Sequence, residues 1–172
     1  MGVGDRAGAG GTYRNIGNAH KSMGEFGKAI EYHRKCLAIA VEVGDRAGEG
    51  RAYNNLAVAL QNSGRPAEVV VQASRALAVF AEVERDVGND AQRISLFAAE
   101  QVQSYVILQA ALLETGRAGP ALAVAEQSKA RVLLGALGGD ADMPLAMPRN
   151  VEGAPESADP YRASWEQRLA QH

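Results

Sequence analysis

The chain holds a single cysteine, Cys36, in 172 residues. That excludes an intrachain disulfide and any zinc site built on a cysteine cluster. Aromatic residues are scarce, 5% of a chain that is 47% hydrophobic. Alanine fills much of the gap, which suits helices packed through small side chains and suits a sheet poorly, since strands favour β-branched and aromatic residues. Positive charge is not in excess: the net charge is −2, so no basic field draws the chain to nucleic acid or anionic lipid. No apolar run reaches the roughly 18 residues a membrane span needs. The opening MGVGDRAGAGG lacks the apolar segment of a signal peptide, and MGVGDR lacks the Ser or Thr of a myristoylation signal. The expectation is a soluble, cytoplasmic protein with one domain-sized core.

What the chain does have is a repeat. Residues 44–64, GDRAGEGRAYNNLAVALQNSG, restate residues 4–24, GDRAGAGGTYRNIGNAHKSMG, with ten of 21 aligned positions identical; chance would give roughly one or two. A fixed period of 40 residues is the mark of a stacked array. In the first copy, Asp5 is placed to cap a helix. Tyr13, Ile16, Gly17, Ala19 and His20 then make its stripe, spaced by three and four. Gly24 stops that helix, and a second one from near Glu25 carries Phe26, Ala29, Ile30, His33, Cys36, Leu37, Ala40 and Val43 before Gly44 ends it. The second copy repeats the plan with Tyr53, Leu56, Ala57, Ala59 and Leu60, a stop at Gly64, and Pro66 in the next first turn, where its missing N–H costs little.

A third copy is displaced. Tyr105 and Gly116 are 11 apart, as are Tyr13 and Gly24, and Tyr53 and Gly64. Twelve extra residues enter around positions 85–95, about three helical turns, so longer helices are expected on both sides of a turn at Gly88 and Asn89. Pro120 again opens a helix, which runs to Leu137. Residues 138–160 then hold four of the six prolines and three glycines without periodicity, and read as a disordered linker. Residues 161–172 would make a short helix with Trp165 and Leu169 on one side, too short to stand alone.

The two-helix unit resembles the tetratricopeptide repeat. Tyr13 takes the place of the leading aromatic, Ile16 with Gly17 the Leu-Gly pair, and Ala29 the tight-packing alanine. His20 and Leu60 depart from it in place of an aromatic, as do Ala57 and Gln109 in place of glycine, and the proline between repeats is absent. The 40-residue spacing is similar to the long class of the repeat, found in Pins-like adaptors and large scaffolds. The resemblance implies an all-α solenoid of helical hairpins, a right-handed superhelix of about six helices over residues 1–137, with repeats near 5–43, 45–86 and 89–137. It also implies a scaffold that binds a protein or peptide, with no cofactor. The stretch AEQSKARVL at 125–133 looks like the last repeat before a CHAT domain, a caspase-like protease domain that would lie beyond this chain. The regulatory segment of such a protease is therefore an alternative, and a self-associating module is another. The ends lack polar caps, so further repeats or another chain are expected against them.

In such a stack the first helices of the hairpins line a concave groove. By alignment its residues are Arg14, Asn15, Asn18 and Lys21; then Arg51, Asn54, Asn55, Val58 and Asn62; then Val106, Ala110, Leu113 and Glu114. Asparagine offers both a donor and an acceptor, which suits holding the backbone of an extended peptide. Arg14, Lys21 and Arg51 bias the groove toward an acidic one.

Little suggests catalysis. His20 and His33 are placed to face one another, but no third metal ligand accompanies them. Cys36 sits where the repeat wants a small residue, which makes it a buried, inert thiol. Residues 2–7, GVGDRA, fit a loose dinucleotide fingerprint, but no strand precedes them and the motif recurs as a repeat junction.

Overall fold

The computed structural model describes residues 3–87 and 91–136, with side chains over 6–85 and 100–133. The expected turn at Gly88 and Asn89, the linker at 138–160 and the helix at 161–172 lie outside the described residues. Six helices follow one another: α1 (Val3–Ser22), α2 (Phe26–Val43), α3 (Arg46–Asn62), α4 (Pro66–Val87), α5 (Ala91–Glu114) and α6 (Ala118–Ala136). There is no strand among the described residues. Each consecutive pair packs together, and α3 also packs directly on α5. The architecture is an all-α solenoid of three hairpins.

The glycines set the period. Gly24, Gly44, Gly64 and Gly116 all lie in the left-handed region, with φ between 68° and 76°. In each case the following residue sends its N–H back to the carbonyl five positions earlier: Glu25 to His20, Asp45 to Ala40, Arg65 to Leu60 and Arg117 to Leu112, at 2.8–3.1 Å. This closure satisfies end carbonyls that a helix leaves open, and a side chain at the glycine would strain it. α2, α3, α4 and α6 therefore each start from nearly the same exit geometry.

Asp45 caps α3, its Oδ1 accepting from the Gly48 N–H at 2.8 Å. Asp5 does not have the corresponding place. α1 begins at Val3, so Asp5 lies inside the helix, where the backbone N–H groups ahead of it are no longer free ends. The displaced third copy is carried by longer helices: α4 has 22 residues and α5 has 24, against 18 in α2 and 17 in α3.

The core runs continuously through the hairpins and is made of Ala29, Ile30, Leu37, Tyr53, Leu56, Leu60, Val69, Phe80, Leu108 and their neighbours. Two glycines allow the helices of a hairpin to approach. A Cβ at Gly17 would lie 2.6 Å from the His33 ring, and one at Gly50 would lie 2.7 Å from the Phe80 ring. Bulk is thus exchanged across each hairpin, a ring on the second helix filling the space that a missing side chain leaves on the first.

Candidate functional site

The face shared by α1, α3 and α5 divides at α3. On the α5 side it is closed by its own polar groups. The Arg51 guanidinium pairs with Glu100 at 3.0 Å. Asn54 Nδ2 donates to Gln103 Oε1 at 3.0 Å, and its Oδ1 accepts from Ser104 Oγ at 2.9 Å. Asn54 is only 5% exposed. It was expected to face the groove, and it is instead spent between two helices, because α5 packs close enough to satisfy both ends of the amide. Asn62 is exposed, but its side chain turns back on its own helix and donates to the Val58 carbonyl at 2.9 Å. Val58 is half-buried against the core.

On the α1 side the face is open. α1 makes at most marginal contact with α3 among the described residues and is joined to it through α2. Asn15 is exposed; Arg14, Asn18, Lys21 and Asn55 are half-buried. None of these five has a hydrogen-bond or ion-pair partner among the described residues, and Asn18 Oδ1 is inaccessible to solvent without one. Two cations and three amides therefore stand on one face with their capacity unspent. On α5, Val106, Leu113 and Glu114 are exposed and Ala110 is half-buried.

The two histidines part company. His20 Nδ1 lies 2.5 Å from Glu25 Oε2, and its ring stacks on Tyr32 at 5.3 Å between centroids. His33 is fully buried over Gly17, with neither ring nitrogen partnered. Burial, helped by the charge of Lys21, pushes its pKa down to about 4, so it is neutral at pH 7. Burial likewise raises the Cys36 thiol, against the opposing pull of Arg14, and a protonated buried thiol is a poor nucleophile. Among the described residues no group of three or more His, Cys, Asp or Glu could hold a metal ion, and no helix is long and apolar enough to cross a membrane.

Residues 9–82 match the tetratricopeptide repeat family model. The matched span runs from within α1 to within α4, so it covers the first two hairpins and the open half of the face. Over that span the chain is similar to tetratricopeptide repeats, which generally mediate protein–protein interaction. No curated protein and no solved structure matches the chain significantly.

Three contributors to the face were missed in the sequence. Glu100, Gln103 and Ser104 close the α3–α5 half, and only Ser104 left a trace, as a polar residue just before Tyr105 where Ala52 stands before Tyr53. Tyr32 was also missed. It stacks on His20 and tilts against Tyr13, contacts that depend on how α1 crosses α2, and it lies 4.9 Å below Lys35 Nζ of its own helix.

Proposed function

We propose that the chain is a protein-interaction scaffold whose groove holds an extended, acidic peptide segment of a partner over the α1–α3 half. One observation carries this reading: within the span that matches the tetratricopeptide repeat, Arg14, Asn15, Asn18, Lys21 and Asn55 remain without partners, whereas the α3–α5 half uses up its own polar groups. Unspent amides can pair with a peptide backbone, and the two cations favour carboxylates on its side chains. Arg51, engaged by Glu100 and half-buried, sits at the boundary of the binding half and orients rather than contacts. The 40-residue spacing belongs to this reading as the long class of the repeat. So does the AEQSKARVL stretch, since a His and Cys pair encoded after residue 172 would extend the function to regulation of a CHAT-type protease.

The test is selection of peptides on the intact chain from a displayed library, followed by Asn15→Ala with Asn55→Ala. Losing two backbone contacts is expected to weaken binding by about 1–3 kcal/mol in total, with helicity kept. Selected peptides rich in Asp and Glu, and a further loss on Arg14→Glu, are the accompanying results. Unchanged affinity in both variants would remove the groove from the function.

A further inference from the structure

The third hairpin exposes a surface that the second hairpin buries. A shift of 52 residues aligns Gly64 with Gly116 and Arg65 with Arg117. The same shift aligns Asn54 with Val106 and Val70 with Leu122. In the second hairpin these places are 5% and 2% exposed, and α5 covers Asn54 directly. In the third they are 59% and 63% exposed. Six of the seven large hydrophobic residues exposed among the described residues lie on α5 and α6. The surface is thus the same repeat face, uncovered at the end of the described array, and it is separate from the α1–α3 groove.

What covers the equivalent face of the second hairpin is a helix, α5, that brings Tyr105, Leu108, Ala111 and Leu112 at helical spacing. After α6 the sequence holds one further stretch of that character. Residues 161–172 carry Tyr161, Trp165 and Leu169 at intervals of four, a single helical stripe. A stretch of 12 residues does not hold a helix in water by itself, so its stripe needs a surface. The 23 residues at 138–160 reach roughly 26 Å as a flexible chain. That is close to the length of α6, about 28 Å for its 19 residues, so the stretch can return along α6 to any part of the face. The charges are also compatible. Glu126 and Lys129 pair at 2.9 Å on α6 between Leu122 and Leu133, and Arg162 with Glu166, one turn apart beside the stripe, can answer both.

We propose that residues 161–172 fold back as a short helix onto the α5–α6 face, in the place a following first helix would take, with Trp165 buried against it. The segment then caps the array from within the same chain. The face it covers is the one that would otherwise join a second copy or a further repeat.

Trp165 is the single tryptophan of the chain and reports the docking directly. The full chain is compared by fluorescence with a synthetic peptide of residues 161–172. The expected result is emission at shorter wavelength and weaker iodide quenching in the full chain, both independent of protein concentration. Val106→Asp, Leu122→Asp and Leu169→Asp should each return Trp165 to the values of the peptide, with far-UV helicity kept. Should Val106→Asp lose helicity, the other two variants still decide. Emission in the full chain equal to that of the peptide would overturn the proposal. So would a shift that grows with concentration, which would mean that a second copy covers the face. A shift indifferent to Val106→Asp and Leu122→Asp would also overturn it, by placing Trp165 elsewhere.

Discussion

The two seams between first helices, α1 with α3 and α3 with α5, begin from the same repeat and end as different surfaces. Asn54 and Arg14 occupy matching places, 40 residues apart. Asn54 meets Ser104 and Gln103 on a helix that packs against its own, whereas Arg14 finds no partner on α3. The partners explain the difference. Glu100 and Ser104 of α5 correspond, 52 residues back, to Gly48 and Ala52 of α3, which have no side-chain acceptor or donor to offer α1. One hairpin plan can therefore be repeated while the seam between α3 and α5 is sealed by side chains and the seam between α1 and α3 is not.

The most forceful way to break the comparison is to damage the hairpin both seams share. Phe80 is fully buried against Gly50, and Phe80→Ala should cost about 3–5 kcal/mol, read from urea unfolding, with both seams lost together. A fall in pH acts on the first hairpin through His33. His33 has its folded pKa lowered to about 4 by burial, so the unfolded chain binds the proton more readily. Its contribution is present above the unfolded value near 6.5 and is lost as pH falls toward 4. Between pH 7 and pH 5 the loss should be about 2 kcal/mol, and His33→Leu should flatten that slope. Hydrogen exchange should show α1 and α2 opening first.

Smaller changes sharpen the contrast between the seams. Asn54→Ala removes the amide shared by Gln103 and Ser104 and should cost about 1–2 kcal/mol. Arg14→Ala, at the matching place, should stay within about 0.5 kcal/mol. Equal costs, measured by the same denaturation, would erase the distinction. Asp45→Ala should cost about 1 kcal/mol through the lost α3 cap, which thermal melts would register as a modest fall in Tm.

The hairpins were legible because their signals are local and repeated. Four glycines with the same left-handed turn mark the ends of α1, α2, α3 and α5, and the stripes of Tyr53, Leu56 and Leu60 and of Ile30, Leu37 and Ala40 fall on the buried faces. The place of Asn54 was not legible, since its partners stand 49 and 50 residues on, in the copy whose register had slipped. A polar residue on a repeated helix reads as groove-facing until the next helix is in place. Asp5 misled for the opposite reason: its sequence context matches that of Asp45, but α1 already starts at Val3, two residues before it. Glu49 shows the same limit. It is fully buried and held by Arg46, which also pairs with Glu82 of α4, and only the Arg46–Glu49 half of that cluster is a neighbour in sequence.

The open seam is tested most directly by mapping amide chemical shifts while a display-selected peptide is titrated onto the full chain. Shifts confined to residues 14–21 of α1 and to Asn55 and its neighbours on α3, with Gln103 and Ser104 unmoved, are the expected result. Shifts centred on α5 and α6, with α1 silent, would contradict the assignment of the α1–α3 seam as the binding surface.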